Sequence, residues 1–207
     1  MDLSGKIALV TGASRGIGEA LAIGLAEHGT DIIICDLESE SRGLANTQKQ
    51  IEKTGKKCWS YFLDVTKKSQ IQKMVSDILS DIGSIDILVN NAGILTPTSL
   101  EEIDEETWDN HFEVNTKGVL LMCQSVLPHM REKKSGRIIN IASIAGRQGS
   151  PTQGHYASTK SAVITLTRVL AQEVGEAGIT VNAICPGIIL TEMGKNNLGS
   201  EKEIEHW

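Results

Sequence analysis

Short apolar segments alternate with longer amphipathic ones along the chain, and this alternation restricts the fold more than any other feature. The short segments are rich in β-branched residues and almost continuously hydrophobic, which is typical of strands in a parallel sheet covered on both faces. They span residues 7–11, 32–36, 59–63, 85–90, 137–142 and 180–184. The helical patterns cover about 17–28, 40–54, 68–82, 104–131 and 156–177. The sequence therefore predicts an α/β fold, a doubly wound parallel sheet in a single domain.

Two local signals refine this prediction. The long helical pattern 104–131 is expected to contain two helices, broken near Thr116–Gly118. Glycines that follow helical patterns are expected to cap the carboxyl ends of those helices. These glycines are Gly29, Gly55, Gly83 and Gly136.

Composition excludes several classes of partner. The 207 residues carry a net charge of −6, whereas nucleic acids and anionic membranes attract clusters of lysine and arginine. No apolar run approaches the ~20 residues that span a bilayer. The cysteines and histidines show none of the spacings of zinc sites or disulfide frameworks. We therefore predict a cytoplasmic protein with unpaired thiols, no metal, and no nucleic-acid or membrane partner; the cysteines are Cys35, Cys58, Cys123 and Cys185.

A glycine-rich turn follows the first predicted strand and precedes the first predicted helix. It reads Thr11-Gly12-Ala13-Ser14-Arg15-Gly16-Ile17-Gly18. Such glycines alone could simply form a tight turn. Between a strand and a helix, however, they let backbone N–H groups approach a pyrophosphate, whose charge the helix N-terminus favours. The turn therefore predicts a dinucleotide site.

Asp36, at the end of the second predicted strand, bears on which dinucleotide binds. A carboxylate there can accept hydrogen bonds from the adenosine ribose hydroxyls and would repel a 2′-phosphate. Arg15, beside the pyrophosphate turn, points the other way, because a basic residue could favour that phosphate. We give Asp36 the greater weight and predict NAD rather than NADP.

Two further segments follow predicted strands at their carboxyl ends. Asp64-Val65 is placed to meet the adenine ring, and Asn90-Asn91-Ala92-Gly93 is placed to line the cofactor. Each segment alone could be turn chemistry. Their shared position at the ligand-binding edge of a parallel sheet favours function.

Tyr156 and Lys160 are four residues apart, so on a helix their side chains lie on the same face. The phenol has a pKa of about 10 and is a poor base at neutral pH. A nearby lysine charge is expected to lower the pKa of Tyr156 and make it a proton-transfer group near pH 7. The alternative is that both residues decorate a solvated helix face.

Taken together, these features resemble the short-chain dehydrogenase/reductase family, in its NAD-preferring type. The resemblance covers about residues 4–193, which we predict to form a Rossmann-type dinucleotide-binding and catalytic domain, 1–193. The segments that carry it are T-G-A-S-R-G-I-G, D-V, N-N-A-G, Asn115, Ser143, Y-A-S-T-K and Pro186-Gly187.

The resemblance implies a role for each matching residue. Tyr156 would be the general acid/base, and Lys160 would lower its pKa and bind the nicotinamide ribose. Ser143 would hold the substrate oxygen, although it could simply cap a strand end. Asn115 would break its helix and position a water next to Lys160, although it could be a buried amide that satisfies a kink. Pro186, Gly187 and Ile188 would flank the nicotinamide, and Thr191 would bond its carboxamide.

His155 precedes Tyr156, so the two side chains diverge by about 100° on a helix. A role in the substrate pocket or in an interface is therefore favoured over a catalytic one. The loop from Ser150 to Gly154 is expected to border that pocket.

The chain departs from the family at its end, because members usually continue beyond this point. It therefore resembles a C-terminally truncated member that lacks the last strand of the sheet. Residues 194–207 would begin an incomplete substrate-covering segment and are expected to be disordered. The helices at 118–131 and 156–177 are those through which members associate, which implies a homodimer or homotetramer.

Two functions remain open at this point. The first is an oxidoreductase that transfers a hydride between NAD and a secondary alcohol or ketone, such as a polyol, sugar derivative, diol or hydroxyacyl compound. The second is a non-enzymatic, truncated family member that binds nucleotide weakly or acts as a dimerisation partner.

Overall fold

The computed structural model describes residues 2–198, in which six strands form one sheet. The strands are β1 (Ile7–Thr11), β2 (Asp31–Asp36), β3 (Cys58–Phe62), β4 (Ile87–Asn90), β5 (Gly136–Ile141) and β6 (Ile179–Ile184). Their order is β3-β2-β1-β4-β5-β6, and all neighbouring strands are parallel. The chain switches direction of travel between β1 and β4, and ligand clefts in open parallel sheets form at such a switch point.

The helices connect successive strands. They are α1 (Gly16–Glu27), α2 (Ser41–Lys53), α3 (Lys68–Asp81), α4 (Glu105–Phe112), α5 (Gly118–Lys133), α6 (Ala145–Gln148), α7 (Gly154–Val174) and α8 (Glu192–Leu198). A π-helical turn, Glu113–Lys117, joins α4 to α5. Short 3-10 turns lie at Glu38–Glu40, Leu100–Glu102 and Gly175–Ala177. Across residues 2–198, no helix has the length and apolar character needed to cross a membrane.

The two faces of the sheet bury separate hydrophobic clusters. Successive strand side chains point to opposite faces. Ala8 and Ile32 therefore pack with α1 and α2, whereas Leu9 and Ile33 pack with α3, α5 and α7. Because both faces are covered over the central strands, those strands are hydrophobic at almost every position. The predicted doubly wound parallel sheet is confirmed.

Each observed strand begins and ends within two residues of its prediction. Within residues 2–198, β6 pairs only with β5 and is therefore an edge strand, as β3 is at the other end of the sheet. The short helices α6 and α8 were not predicted. Residues 194–207 were expected to be disordered, but residues 194–198 are helical and belong to α8. Residues 199–207 lie outside the described residues.

Two local predictions need correction. The break expected near Thr116–Gly118 is the π-helical turn, so the backbone stays helical there. Gly29, Gly55 and Gly83 do cap helices with positive φ, but Gly136 instead begins β5. Lys134, at φ 50°, ends α5. Gly136 is needed for another reason: a Cβ atom there would lie 2.4 Å from Met130 Sδ.

Asp86 connects the amino ends of β1 and β4 with the end of α5. Its carboxylate accepts the Ile7 N–H at 3.0 Å and the Lys133 ammonium at 2.8 Å, and Lys6 lies 3.9 Å away. Burial opposes ionisation of Asp86, but the hydrogen bonds from Lys133 and Ile7 outweigh it and lower the pKa of this carboxyl. The start of β1, the start of β4 and the end of α5 are thereby joined.

Candidate active site

A cavity of about 690 Å³ opens at the carboxyl ends of the strands. The loops that follow all six strands contribute to its wall. This volume lies within the range of about 300–1,000 Å³ that is usual for small-molecule sites. The wall includes every predicted site residue except Gly18 and Asn115.

The glycine turn is tightly packed. Gly12 and Gly16 have φ values of 64° and 62°, which favour glycine. Gly18 lies under the turn, where a Cβ atom would be 2.1 Å from the Gly12 carbonyl oxygen. Ser14, Arg15, Gly16 and Ile17 line the cavity at the N-terminus of α1. The closeness of backbone to backbone leaves room above the turn for an anion.

Asn91 holds the neighbouring loop against this turn. Its side-chain N–H donates to the carbonyl oxygens of Thr11 at 3.0 Å and Gly12 at 2.9 Å. The Thr11 hydroxyl oxygen accepts the backbone N–H groups of Asn91 and Ala92, both at 3.0 Å. The Asn91 amide therefore supports the site, and its backbone and Ala92 form the wall.

Asp36 lies at the predicted adenosine end with its carboxylate oriented by two backbone donors. One oxygen accepts the Ser14 N–H at 3.0 Å, and the other accepts the Leu37 N–H at 2.9 Å. Arg15 lines the cavity and is paired with two carboxylates. Its guanidinium donates to Glu40, and its Nε atom lies 3.5 Å from a Glu192 oxygen. The hydrogen bond to Glu40, together with the charges of Glu40, Glu192 and Asp36, raises the pKa of Arg15. Sequence reasoning missed Glu40, because no local pattern links it to a residue 25 positions earlier.

The Asp64 carboxylate is used in a local turn. It accepts the Thr66 N–H at 2.9 Å and the Thr66 hydroxyl at 2.7 Å. Val65 lines the cavity and packs against Gly118, where a Cβ atom would lie 2.9 Å from Val65 Cγ2. Val65, rather than the Asp64 carboxylate, presents the apolar surface that suits an adenine ring.

Ser143, Tyr156 and Lys160 come together at the other end of the cavity. Ser143 follows β5, while Tyr156 and Lys160 lie one turn apart on α7. The side chains of Ser143 and Tyr156 are hydrogen-bonded. The Lys160 ammonium lies 5.6 Å from the centre of the Tyr156 ring and donates to the Ile141 carbonyl at 2.8 Å.

The predicted pKa of Tyr156 needs correction. Burial raises the pKa of Tyr156, and the hydrogen bond from Ser143 only partly offsets this rise. Lys160 is itself buried, which lowers its pKa to about 8. The prediction considered only the attraction between the lysine charge and the phenolate. Burial removes both groups from water and therefore opposes the charged form of each.

Asn115 lies in the π-helical turn and is fully buried. Its side-chain N–H group donates to the Ile94 carbonyl at 2.9 Å and to the Thr159 hydroxyl at 3.2 Å, and its oxygen accepts the Ile94 N–H at 2.8 Å. A Cβ atom on Gly93 would lie 3.1 Å from the Asn115 oxygen and 3.4 Å from Lys160 Nζ. Asn115 therefore lies behind the cavity wall, on the Lys160 side.

The segment after β6 covers the glycine turn. Pro186, Gly187, Ile188 and Thr191 all line the cavity. A Cβ atom on Gly16 would lie 3.1 Å from Thr191 Cγ2. The Thr191 hydroxyl oxygen accepts the Gly194 N–H at 3.1 Å, which connects this segment to α8.

The wall also contains residues that sequence reasoning did not assign. They are apolar or neutral polar side chains, contributed by Ile94, Leu95, Ile144, Gln148, Ile189 and Met193. Ser150 and Gln153, in the loop expected to border the pocket, lie there too. Ile94 and Leu95 follow the N-N-A-G segment, Ile144 follows Ser143, and Ile189 follows Ile188, so their neighbours in sequence were a signal; no local pattern marked Gln148 or Met193.

His155 does not line the cavity, which contradicts a substrate-pocket role, one of the two roles favoured over a catalytic one. It is fully buried on α7, with its ring centre 3.9 Å from that of His111 on α4. Neither ring nitrogen of His155 has a hydrogen-bond partner of normal geometry. His111, in contrast, uses both nitrogens, toward the Thr107 carbonyl and the Thr96 N–H.

This environment predicts that folding stability falls in mild acid. Burial, followed by the charge of His111, lowers the pKa of His155. The unfolded chain therefore takes up a proton below about pH 6.5 that the folded chain resists. Thermal unfolding should show a Tm that is constant above pH 7 and drops by several degrees by pH 5.5, at about 2–4 °C for each kcal/mol lost.

The variant His155→Leu should flatten this dependence, whereas His28→Asn, at an exposed position, should not. Some slope will remain, because burial and the Lys133 charge also lower the pKa of His129. An unchanged slope in His155→Leu would exclude His155 as its source.

The cavity fits a dinucleotide. Gly12 and Gly18 let the turn pack so closely that a Cβ atom on either would collide with neighbouring backbone, α1 begins at this turn, and Asp36 lines the same cavity. Tyr156 and Lys160 lie at the far end, next to Gly93. Among residues 2–198, no group of three or more His, Cys, Asp or Glu side chains is placed to hold a metal ion.

Comparison with known proteins agrees with this geometry. The family model described as short chain dehydrogenase matches residues 6–202. The 3-oxoacyl-(acyl-carrier-protein) reductase FabG of Staphylococcus epidermidis is 41% identical over 188 residues, which are 91% of this chain and 77% of that protein. FabG of Thermotoga maritima is 40% identical over 193 residues, 93% of this chain and 78% of its own. The crystal structure of NAD⁺-bound xylitol dehydrogenase superposes with a TM-score of 0.92 at 32% identity, covering 97% of this chain and 80% of the other.

Proposed function

Since the chain belongs to the short-chain dehydrogenase family, we propose that it is an oxidoreductase that transfers a hydride between NAD and a secondary alcohol or ketone. One observation carries the proposal. Ser143, Tyr156 and Lys160 meet at one end of the same cavity whose other end contains the glycine turn and Asp36.

The residues of the chain divide the work as follows. Gly12 and Gly16 make room for the pyrophosphate, Gly18 lets the turn pack closely beneath them, and Asp36 accepts hydrogen bonds from the ribose hydroxyls. Bound NAD supplies the hydride acceptor. The proton is transferred by the protein itself, at Tyr156 in the opposite end of the cavity.

In oxidation, Tyr156 acts as the phenolate and takes the proton from the alcohol; in reduction, it acts as the phenol and donates its proton to the ketone. Ser143 donates a hydrogen bond to the same region and stabilises charge that develops on the substrate oxygen. The Lys160 ammonium stabilises the phenolate form of Tyr156 in both directions. Asn115 fixes the backbone at Ile94 and Gly93, beside Lys160, which positions that ammonium.

The substrate class is an uncharged secondary alcohol or its ketone: a polyol, sugar derivative, diol or hydroxyacyl compound. The cavity supports this, because its wall presents aliphatic side chains together with Gln148, Ser150 and Gln153. Two similar proteins represent two of these substrate classes, since one is named for xylitol, a polyol, and the other for a 3-oxoacyl group.

Turnover assays of the purified 207-residue chain test the function. We expect NAD⁺-dependent oxidation of xylitol-like polyols, or NADH-dependent reduction of a 3-oxoacyl thioester, and the faster of the two identifies the substrate class. Tight NADH binding without turnover on either class would contradict the enzymatic proposal and favour a nucleotide-binding role.

Replacing Asp36 tests the coenzyme assignment. In Asp36→Ala we expect the affinity for NADPH relative to NADH to rise about tenfold or more, because the carboxylate that repels a 2′-phosphate is removed. Nicotinamide fluorescence titrations measure both affinities. Glu38→Gln, an exposed carboxylate two residues further on, is the control, and a ratio unchanged in Asp36→Ala would refute the assignment.

Two broader properties follow the same proposal. A cytoplasmic location is supported by the four cysteines, all of which are free thiols. Association through α5 and α7 into a homodimer or homotetramer is supported by Leu120 and Val169, which are 37% and 47% exposed on these helices. Light scattering at several concentrations would measure the assembly.

A further inference from the structure

We infer that Glu40 is a positioning residue for coenzyme choice: by holding the Arg15 guanidinium, it keeps that cation from receiving a 2′-phosphate. The inference rests on the proposed NAD-dependent function and adds a second determinant to Asp36. It also explains how a chain with a basic residue in its glycine turn can still prefer NAD.

The ion pair joins two elements that border the adenosine end of the cavity. Arg15 immediately precedes α1, and Glu40 ends the 3-10 turn that follows β2. The guanidinium Nη1 donates to a Glu40 oxygen, and both residues line the cavity. Glu40 is the more enclosed of the carboxylates on Arg15, with 29% of its side chain exposed against 68% for Glu192.

Packing beneath the pair fixes the distance between its two elements. A Cβ atom on Gly43 would lie 2.7 Å from the Ser14 carbonyl oxygen, so the start of α2 touches the glycine turn. The Thr47 hydroxyl donates to the Ala13 carbonyl at 2.9 Å from the same helix. Glu40 therefore meets Arg15 without a large movement of either backbone.

Charge then determines what the pair does. A free guanidinium binds phosphate with two parallel N–H donors, but here Nη1 already donates to Glu40, and Nε lies 3.5 Å from a Glu192 oxygen. The charges of Glu40, Glu192 and Asp36 all act on the Arg15 cation. A 2′-phosphate carries about two negative charges and would have to displace a carboxylate or lie beside it. A 2′-hydroxyl meets neither cost.

A double-mutant cycle tests the inference with Glu40→Gln, Arg15→Gln and the double variant. NADH and NADPH are titrated into each protein by nicotinamide fluorescence at low and high ionic strength. We expect Glu40→Gln to raise NADPH affinity about three- to tenfold, with NADH affinity changed less than about twofold. Arg15→Gln should abolish this gain in the double variant, and high salt should reduce it.

Glu38→Gln is the matched control, because it removes a carboxylate from the same turn that has no place in the cavity wall. An unchanged NADPH-to-NADH ratio in Glu40→Gln, with NADH still bound, would overturn this inference and leave the proposed function standing. The same gain in the double variant would also overturn it, because Arg15 would then have no part. Failure of the unaltered chain to bind either nucleotide would overturn the proposed function, and this inference with it.

Discussion

Tyr156→Phe is expected to lower turnover about a thousandfold or more while changing the dissociation constant of NADH less than about twofold. The substitution removes only the hydroxyl that exchanges a proton with substrate, and general acid–base catalysis contributes about 10²–10⁴-fold. The phenyl ring still fills the same position between Ser143 and Lys160. Steady-state rates and fluorescence titration separate the two effects.

The chain supplies its own control, since its only other tyrosine is Tyr61. That side chain packs against the core on the edge strand β3, away from the cavity wall. Tyr61→Phe should therefore retain turnover. Comparable rates in Tyr156→Phe and the unaltered protein would refute the mechanism.

Gly18→Ala is expected to lower the free energy of unfolding by about 1–3 kcal/mol and to weaken NADH binding about tenfold or more. The new methyl would lie 2.1 Å from the Gly12 carbonyl oxygen and 2.4 Å from Asn91 Nδ2. It would separate the two atoms whose hydrogen bond, 2.9 Å long, holds the loop after β4 to the glycine turn. Urea denaturation and NADH titration measure the two losses.

Gly24→Ala provides a control on the same helix, because a Cβ atom there meets nothing within 4 Å. Alanine is preferred to glycine inside a helix, so this variant should gain about 0.5–1 kcal/mol of stability. If both variants behaved alike, close packing would not be the reason for glycine at position 18.

The order of elements could be predicted because each element carries its own periodicity. The strands are hydrophobic at nearly every position, and the structure explains this by showing that Ala8 and Leu9 enter cores on opposite faces. The positions of the site segments followed from the same reasoning, since loops at the carboxyl ends of parallel strands share one edge. Gly136 was misassigned because glycine is required there to leave space for the Met130 side chain, and no local sequence pattern reveals that contact.

The electrostatics of the site could not be predicted, because they depend on residues distant in sequence. The spacing of Tyr156 and Lys160 indicates that the two are neighbours, but not that burial alone lowers the pKa of Lys160 to about 8. The pairing of Arg15 with Glu40 joins the glycine turn to the turn after β2. Likewise, His155 meets His111 only when α7 packs on α4.

The Asp86 cluster lies at the amino ends of the strands, and the cavity lies at their carboxyl ends. The five residues of β1 separate the two by about 16 Å. The Asp86 cluster and the coenzyme site are therefore separated by the length of a strand. Substitutions that strengthen the ion pairs of Asp86, or attachment of the protein to a support at that edge, should leave coenzyme preference unchanged.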